Sequence, residues 1–296
     1  AYPAYGVALA LLIAVDVAGH MGLGAQRWIS LGGVDLQPSE LMKIGLVLAL
    51  ARYLHGKSIE DVSRPGPLAI GLAMIGIPAI FVLLQPNLGT TLIIIMDGCA
   101  LLFLAGLSWY WIAPTLAAVA AAIPLAWQFL LHDYQKARVE TFLNPEADAL
   151  GAGWNITQSK IAVGSGGISG KGFLEGTQSR LNFLPEKQTD FIFTNFAEEF
   201  GFVGTMALLV LFATVLFYGV QMATTARSQF GRLLAMGITL NFFFYIMING
   251  LMVMGLIPVV GIPMPLLSYG GSAMLTVMFG FGLLMSVHIH RQVGIP

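Results

Sequence analysis

Ionisable side chains set among apolar runs are the first candidates for chemistry in this chain. At the centre of a lipid-embedded helix each costs about 2.5–3.5 kcal/mol even on the mildest scale. Asp190 leads them. It ends the polar stretch PEKQTD and immediately precedes the apolar FIFTNF, so it stands where the two kinds of segment meet. A carboxylate at such an edge is suited to acid–base work; the competing reading is a helix cap, with Thr189 or Asp190 satisfying the orphan N–H groups of a helix start. Glu198 and Glu199 follow two turns on, as supporting partners of Asp190 or as an interface pair. Glu40 and Lys43, in QPSELMK, are three residues apart and share one helix face. They form either a structural ion pair near the interface or a polar wall of a substrate cavity. Asp16 in AVDVAGH and Asp97 in IIIMDGCALL read as structural polar contacts, Asp97 with no partner nearby in sequence.

The elements that must position these groups are apolar helices. The 296 residues are 57% hydrophobic and only 10% charged, against about 25% charged in an ordinary soluble domain. Eight apolar runs approach the roughly 20 residues that span a bilayer core: Tyr2–His20, Pro38–Leu54, Pro67–Leu84, Leu88–Leu107, Tyr110–Leu131, Phe200–Tyr218, Leu233–Leu256 and Met274–Ile289. The runs are continuous rather than alternating, which excludes a transmembrane β-barrel. The expectation is an all-α, polytopic membrane protein, residues 1–296 forming one integral domain. Its large loop, residues 132–198, is too long for a structureless connection and reads as a small folded platform. Within it, Trp154–Ile161 has the pattern of a short amphipathic helix that could rest on the bilayer surface. The loop's glycines match neither a Walker loop nor a dinucleotide fingerprint.

Charge narrows the reading further. A net charge of −1 points to no nucleic-acid partner. Basic residues in short loops (Arg52, Lys57, Arg64, Arg227, Arg232, and Arg291 after the last span) mark one face as cytoplasmic, which puts the platform outside. Platform cations such as Arg138, Arg180 and Lys187 do not oppose this, since long loops translocate regardless of charge. None of the five histidines and one cysteine falls in a metal-ligand spacing, so no protein-ligated metal is expected. The chain opens Ala1-Tyr2-Pro3 with no initiator Met, which suggests that an N-terminal part of the natural protein precedes it.

Several segments together resemble the SEDS family of shape, elongation, division and sporulation proteins, and its RodA branch more than its FtsW branch. They are GAQRWISLGGVDLQPSELMK, LLQPNLGTTL, LLFLAGLSW, NPEADALGAGWNITQSKIAVGSGGISGKGF, GTQSRLNFLPEKQTDFIF, AEEFGFVG and GLIPVVGIPMPLLSYGGSAML. The resemblance covers nearly the whole chain. It implies ten membrane helices, of which about eight would lie in this chain, and a peptidoglycan glycosyltransferase that polymerises lipid II at the outer face of the bacterial cytoplasmic membrane. The family's essential acidic residue carries over to Asp190, its Glu/Lys pair to Glu40 and Lys43, and its loop tryptophan to Trp28. The resemblance also implies a class B penicillin-binding protein, a transpeptidase, as partner. Asp97 lies outside the family pattern.

The implied chemistry fits a lone carboxylate. A polyprenyl pyrophosphate leaves as a stable anion and needs cations rather than a general acid, while the acceptor hydroxyl needs one base. Lys43, Arg27, Arg138, Arg180 and Lys187 are the candidate cations. No cofactor is expected to bind tightly, though a Mg²⁺ or Mn²⁺ bridging the pyrophosphate has room in this scheme. Two other functions suit the same residues: a flippase carrying lipid II across the bilayer, and a non-catalytic activator of the penicillin-binding protein. For the partner's membrane helix, the small and Met-rich faces around Gly250, Met252, Met254 and Gly255, then Gly280 and Gly282, suit close packing.

Overall fold

The computed structural model describes residues 1–22, 25–31, 34–129, 133–144, 152–181 and 188–292. All eight apolar runs are helical: α1 (Tyr2–Ala18), α2 (Pro38–Leu54), α4 (Pro65–Leu84), α5 (Leu88–Leu104), α6 (Trp109–Phe129), α10 (Ile192–Thr225), α11 (Gln229–Val253) and α12 (Gly271–Ile289). Five of these, α4, α6, α10, α11 and α12, are long and apolar enough to cross a membrane. The other three have 17 residues each, the short end of the spanning range. Short helices α3 (Ile59–Val62), α7 (Asp133–Leu143), α8 (Ala152–Ser165) and α9 (Thr177–Arg180) complete the helical set among the described residues. The chain is a polytopic helical membrane protein.

One departure from an all-α reading lies between α1 and α2. Strands β1 (His20–Gly22), β2 (Ala25–Leu31) and β3 (Val34–Leu36) form a three-stranded antiparallel sheet in the order β1-β2-β3. Trp28 pairs with His20, and Ile29 with Leu36. The first apolar run therefore stops being helix at Ala18, because the backbone from His20 onward pairs across the sheet.

The chain forms two compact units. The first comprises Ala1–Ser108, Val215–Phe244 and Gly270–Pro296; the second comprises Trp109–Thr214 and Tyr245–Tyr269. In the first, proline and asparagine set helix starts. Pro38 and Pro65 open α2 and α4, where a missing N–H costs nothing. Asn87 caps α5 by accepting from the Thr90 amide. Ser272, in the first turn of α12, binds two backbone groups at once. Its Oγ donates to the Asp35 carbonyl (2.7 Å) and accepts from the Gln37 amide (3.2 Å). The chain is thus held just where it leaves β3 and enters α2. Inside this unit Asp97 is fully buried, and its Oδ2 accepts from Asn241 Nδ2 on α11. Its Oδ1 has no hydrogen-bond partner, although the Lys43 ammonium attracts the carboxylate electrostatically. The partner missing from the local sequence is thus 144 residues away.

In the second unit the platform is folded, as its length requires. Helix α8 begins before Trp154 and runs past Ile161. It does not merely rest on a surface, because Ser159 is fully buried. The Ser159 hydroxyl lies 2.8 Å from Thr194 Oγ1 on α10 and 2.8 Å from the Val253 carbonyl at the end of α11. The small and Met-rich faces proposed for a partner are partly spent inside the chain. Met252 is fully buried, and Gly280 lies against Ile238 and Ile44.

Helix α10 is broken at Gly201, whose φ of 64° and ψ of −162° are not helical. In an unbroken helix the Glu198 and Glu199 carbonyls would accept from the Phe202 and Val203 amides. Instead, all four groups bind the platform. Lys171 and Gly172 donate to Glu198 (3.0 Å) and Glu199 (3.1 Å), and Phe202 and Val203 donate to Gly167 (2.9 Å) and Ile168 (3.1 Å). This exchange requires bare backbone. A Cβ on Gly201 would stand 2.2 Å from the Gly170 nitrogen, and one on Gly170 would stand 2.1 Å from the Glu199 carbonyl oxygen.

The buried Glu198 carboxylate reinforces the joint. It accepts from Lys171 Nζ (2.7 Å), from the Thr177 amide and hydroxyl (2.9 Å each) and from the Gln178 amide (3.3 Å). It is a brace between α10 and the start of α9, and not the partner of Asp190 that the sequence allowed.

Two stability predictions follow from these contacts. Glu198→Ala leaves Lys171 and two amides without their acceptor, and should lower unfolding stability in detergent by about 3 kcal/mol, with new protease cleavage in residues 166–181. A variant that melts like the parent would show the brace to be dispensable. Asp97→Leu or Asn241→Leu alone should destabilise by about 1–3 kcal/mol, whereas the double substitution should recover much of that loss, because neither polar group is left behind. Simple additivity of the two losses would contradict the pairing.

Candidate active site

The turn before α10 presents Asp190, half-buried. In the first turn of α10, the Thr194 and Asn195 amides donate to the Phe191 carbonyl (3.0 and 3.3 Å). The three carbonyls before it turn away from the helix. Gln188 accepts from the Tyr269 amide (2.8 Å), Thr189 from the Ser268 hydroxyl (2.6 Å) and Asp190 from Asn249 Nδ2 (2.8 Å). Three successive peptide units are therefore fixed from one side, by the end of α11 and the segment that follows it. Asn249 is fully buried and donates also to the Ile262 carbonyl (2.6 Å). Ser268 accepts from the Met264 amide (2.7 Å). Between these two, Leu266 takes a left-handed φ of 65°. That conformation costs a branched residue about 1–2 kcal/mol and persists only where its surroundings impose it.

The same segment reaches the carboxylate itself. A Cβ on Gly261 would stand 3.3 Å from Asp190 Oδ2, and the glycine's own φ of 68° is one that residues with side chains rarely adopt. Two residues earlier, the Val259 carbonyl accepts from Arg138 Nη1 on α7 (3.2 Å). Arg138 and Asp190 thus meet one stretch of backbone from two elements, which puts a cation and a carboxylate in one neighbourhood. Arg180 ends α9, exposed. Lys171, another platform cation, is committed to Glu198. Lys187 lies outside the described residues.

In the first unit, Glu40 and Lys43 meet as their spacing implies. Lys43 Nζ is 2.7 Å from Glu40 Oε1, and both side chains are almost wholly buried in the first two turns of α2. Two opposite charges removed from water require each other, since either alone would be strongly destabilising. Arg27, on β2, donates through Nε to the Gln85 carbonyl (3.0 Å) and through Nη2 to that of Pro86, so it secures the turn between α4 and α5. Trp28 beside it is half-buried. Of Asp16, the structure describes only the backbone, near the end of α1.

Three positions escaped the sequence reading: Asn249, Ser268 and Gly261. Asn249 carried a signal, since a buried amide in an apolar run such as FFFYIMINGLMV seeks partners. The other two look like ordinary loop residues until the chain is folded. Among the described residues, no group of three or more His, Cys, Asp or Glu could hold a metal ion.

Residues 1–293 match a family of cell cycle proteins that takes in FtsW, RodA and SpoVE. The chain is 49% identical over 291 residues to the peptidoglycan glycosyltransferase MrdB of Escherichia coli K12, covering 98% of this chain and 78% of that protein. Among solved structures, it is similar to a chain of a peptidoglycan synthase complex that coordinates polymerization and crosslinking. The TM-score there is 0.83 at 34% identity, over 98% of this chain and 81% of that one. It is also similar to the rod shape determining protein RodA of Thermus thermophilus, with a TM-score of 0.71 at 29% identity, over 99% and 78% of the two chains. A match running almost end to end, in sequence and in fold, leaves one assignment: the chain belongs to the FtsW, RodA and SpoVE family of membrane proteins.

Proposed function

We propose that this chain is a RodA-like peptidoglycan glycosyltransferase that polymerises lipid II during cell elongation, with Asp190 as its base. The reading is carried by one observation. A carboxylate stands at the edge of the platform on a turn whose three carbonyls are each bound. A base aimed by its own backbone needs little reorganisation when the substrate arrives. The relatives' names support the substrate class.

The step balances with one carboxylate. The acceptor hydroxyl oxygen attacks the anomeric carbon of the donor sugar and forms the new glycosidic bond, and Asp190 takes its proton. The bond from that carbon to the pyrophosphate oxygen breaks with its electron pair, so the polyprenyl pyrophosphate departs as an anion and the configuration inverts. Arg138, bound to the segment that passes beside Asp190, is one candidate to meet the developing charge. Arg180 and Lys187 are further candidates. A bridging Mg²⁺ or Mn²⁺ would add charge neutralisation when bound.

The same reading places the chain in the bacterial cytoplasmic membrane with the platform outside, as the basic short loops favour. Its substrate's tail stays in the bilayer, since each CH₂ withdrawn costs about 0.8 kcal/mol. Strands made there need crosslinking, and a class B penicillin-binding protein is the partner that fits.

The test is polymerisation of purified lipid II in detergent. Asp190→Asn keeps the size of the side chain and every backbone bond of the turn, and should retain the parent's melting temperature. Its strand synthesis should fall by about a hundredfold or more. Activity within about threefold of the parent would reject Asp190 as the base, and a parent chain that makes no strands at all would favour a non-catalytic activator.

A further inference from the structure

Asn249 makes a bond that the reaction itself does not call for. Its side chain is fully buried, and its one NH₂ group donates to two carbonyls, those of Asp190 and Ile262. Its Oδ1 is buried with no hydrogen-bond partner. Buried polar atoms are seldom left so, and an apolar residue here would avoid the loss. What an apolar residue could not do is hold those two carbonyls together. One of them belongs to the residue that carries the carboxylate. The other is one residue from Gly261, where an added Cβ would stand 3.3 Å from Asp190 Oδ2. Asn249 therefore ties the peptide that carries Asp190 to the segment that passes beside its carboxylate.

Ser268 repeats the arrangement one residue away. Its hydroxyl accepts from the Met264 amide and donates to the Thr189 carbonyl, so the left-handed Leu266 turn is closed on itself and on the turn before α10. With the Tyr269 amide on Gln188, residues 188–190 have no free rotation of their carbonyls.

We propose that Asn249 and Ser268 are positioning residues, which clamp the backbone of residues 189–190 so that the Asp190 carboxylate meets the acceptor hydroxyl at a fixed angle. This rests on the reading of Asp190 as the base. A clamp of this kind acts on the chemical step and not on substrate capture. A displacement of about 1 Å at a reacting group is enough to slow a reaction about a hundredfold.

The experiment uses the full chain in detergent with purified lipid II, and compares Asn249→Ser, Ser268→Ala and Asp190→Asn with the parent. For each, kcat, KM and the unfolding temperature are measured. Asn249→Ser and Ser268→Ala should each lower kcat by about tenfold to a hundredfold, leave KM within about twofold, and melt close to the parent. Either variant, folded, with kcat within about threefold of the parent overturns the clamp, as does a rise in KM with kcat kept. If only one of the two folds, that one decides by the same criteria. If neither folds, the contacts are structural and the positioning role falls. The Asp190→Asn arm separates the two claims. An active Asp190→Asn removes the base and the clamp together. An inactive one beside clamp variants of full kcat removes only the clamp.

Discussion

The structure depends on an interrupted helix. Where α10 breaks at Gly201, the Glu198 and Glu199 carbonyls and the Phe202 and Val203 amides leave the helical ladder and bind residues 167–172. Buried backbone groups must find partners wherever they are, and in an apolar setting the demand is stricter. The break and the platform loop therefore need each other. A polar segment that would otherwise be a loose insertion is held to a membrane helix by four backbone hydrogen bonds, with the Glu198 side chain closing the joint from the side.

The turn at Asp190 is built on the same rule. Its carbonyls do not join the helix that follows; they are taken by Tyr269, Ser268 and Asn249. Precision at a reacting group comes from such backbone anchorage more reliably than from the side chain's own rotamer. A carboxylate has two torsions to set, whereas a peptide bound at its oxygen has almost none. The glycine at 261 then leaves room beside the carboxyl oxygen, where an added Cβ would make a tight 3.3 Å contact.

Much of the architecture was legible in the sequence, for reasons that differ by element. Continuous apolar runs report the helices directly, because lipid rewards the same residues along their whole length. Their ends were less legible. Helix α10 starts eight residues before its apolar run, at Ile192, since the amphipathic first turns face the platform. The strands β1 to β3 were unreadable: three residues, seven and three, separated by glycines, carry too little alternation to stand out from a loop. The pair Glu40–Lys43 was visible because its partners are three residues apart. Asp97 and Asn241, or Asp190 and Asn249, are separated by 144 and 59 residues, and no local pattern links them. The site was legible as a residue, Asp190, and illegible as a geometry.

The hold of Ser272 on the chain between β3 and α2 has a further consequence. Helix α2 begins one residue after Gln37, so the azimuth at which Glu40 and Lys43 emerge is fixed from outside the helix, by a hydroxyl on α12. Each residue advances an α-helix by about 100°. One residue added between Asp35 and Pro38 would leave the sheet and α12 as they are and swing the ion pair about a quarter-turn away from its present neighbours, Asp97 among them. The length of that short connection is thus a phase setting, and chains of this kind can drift in the composition of the segment far more freely than in its count.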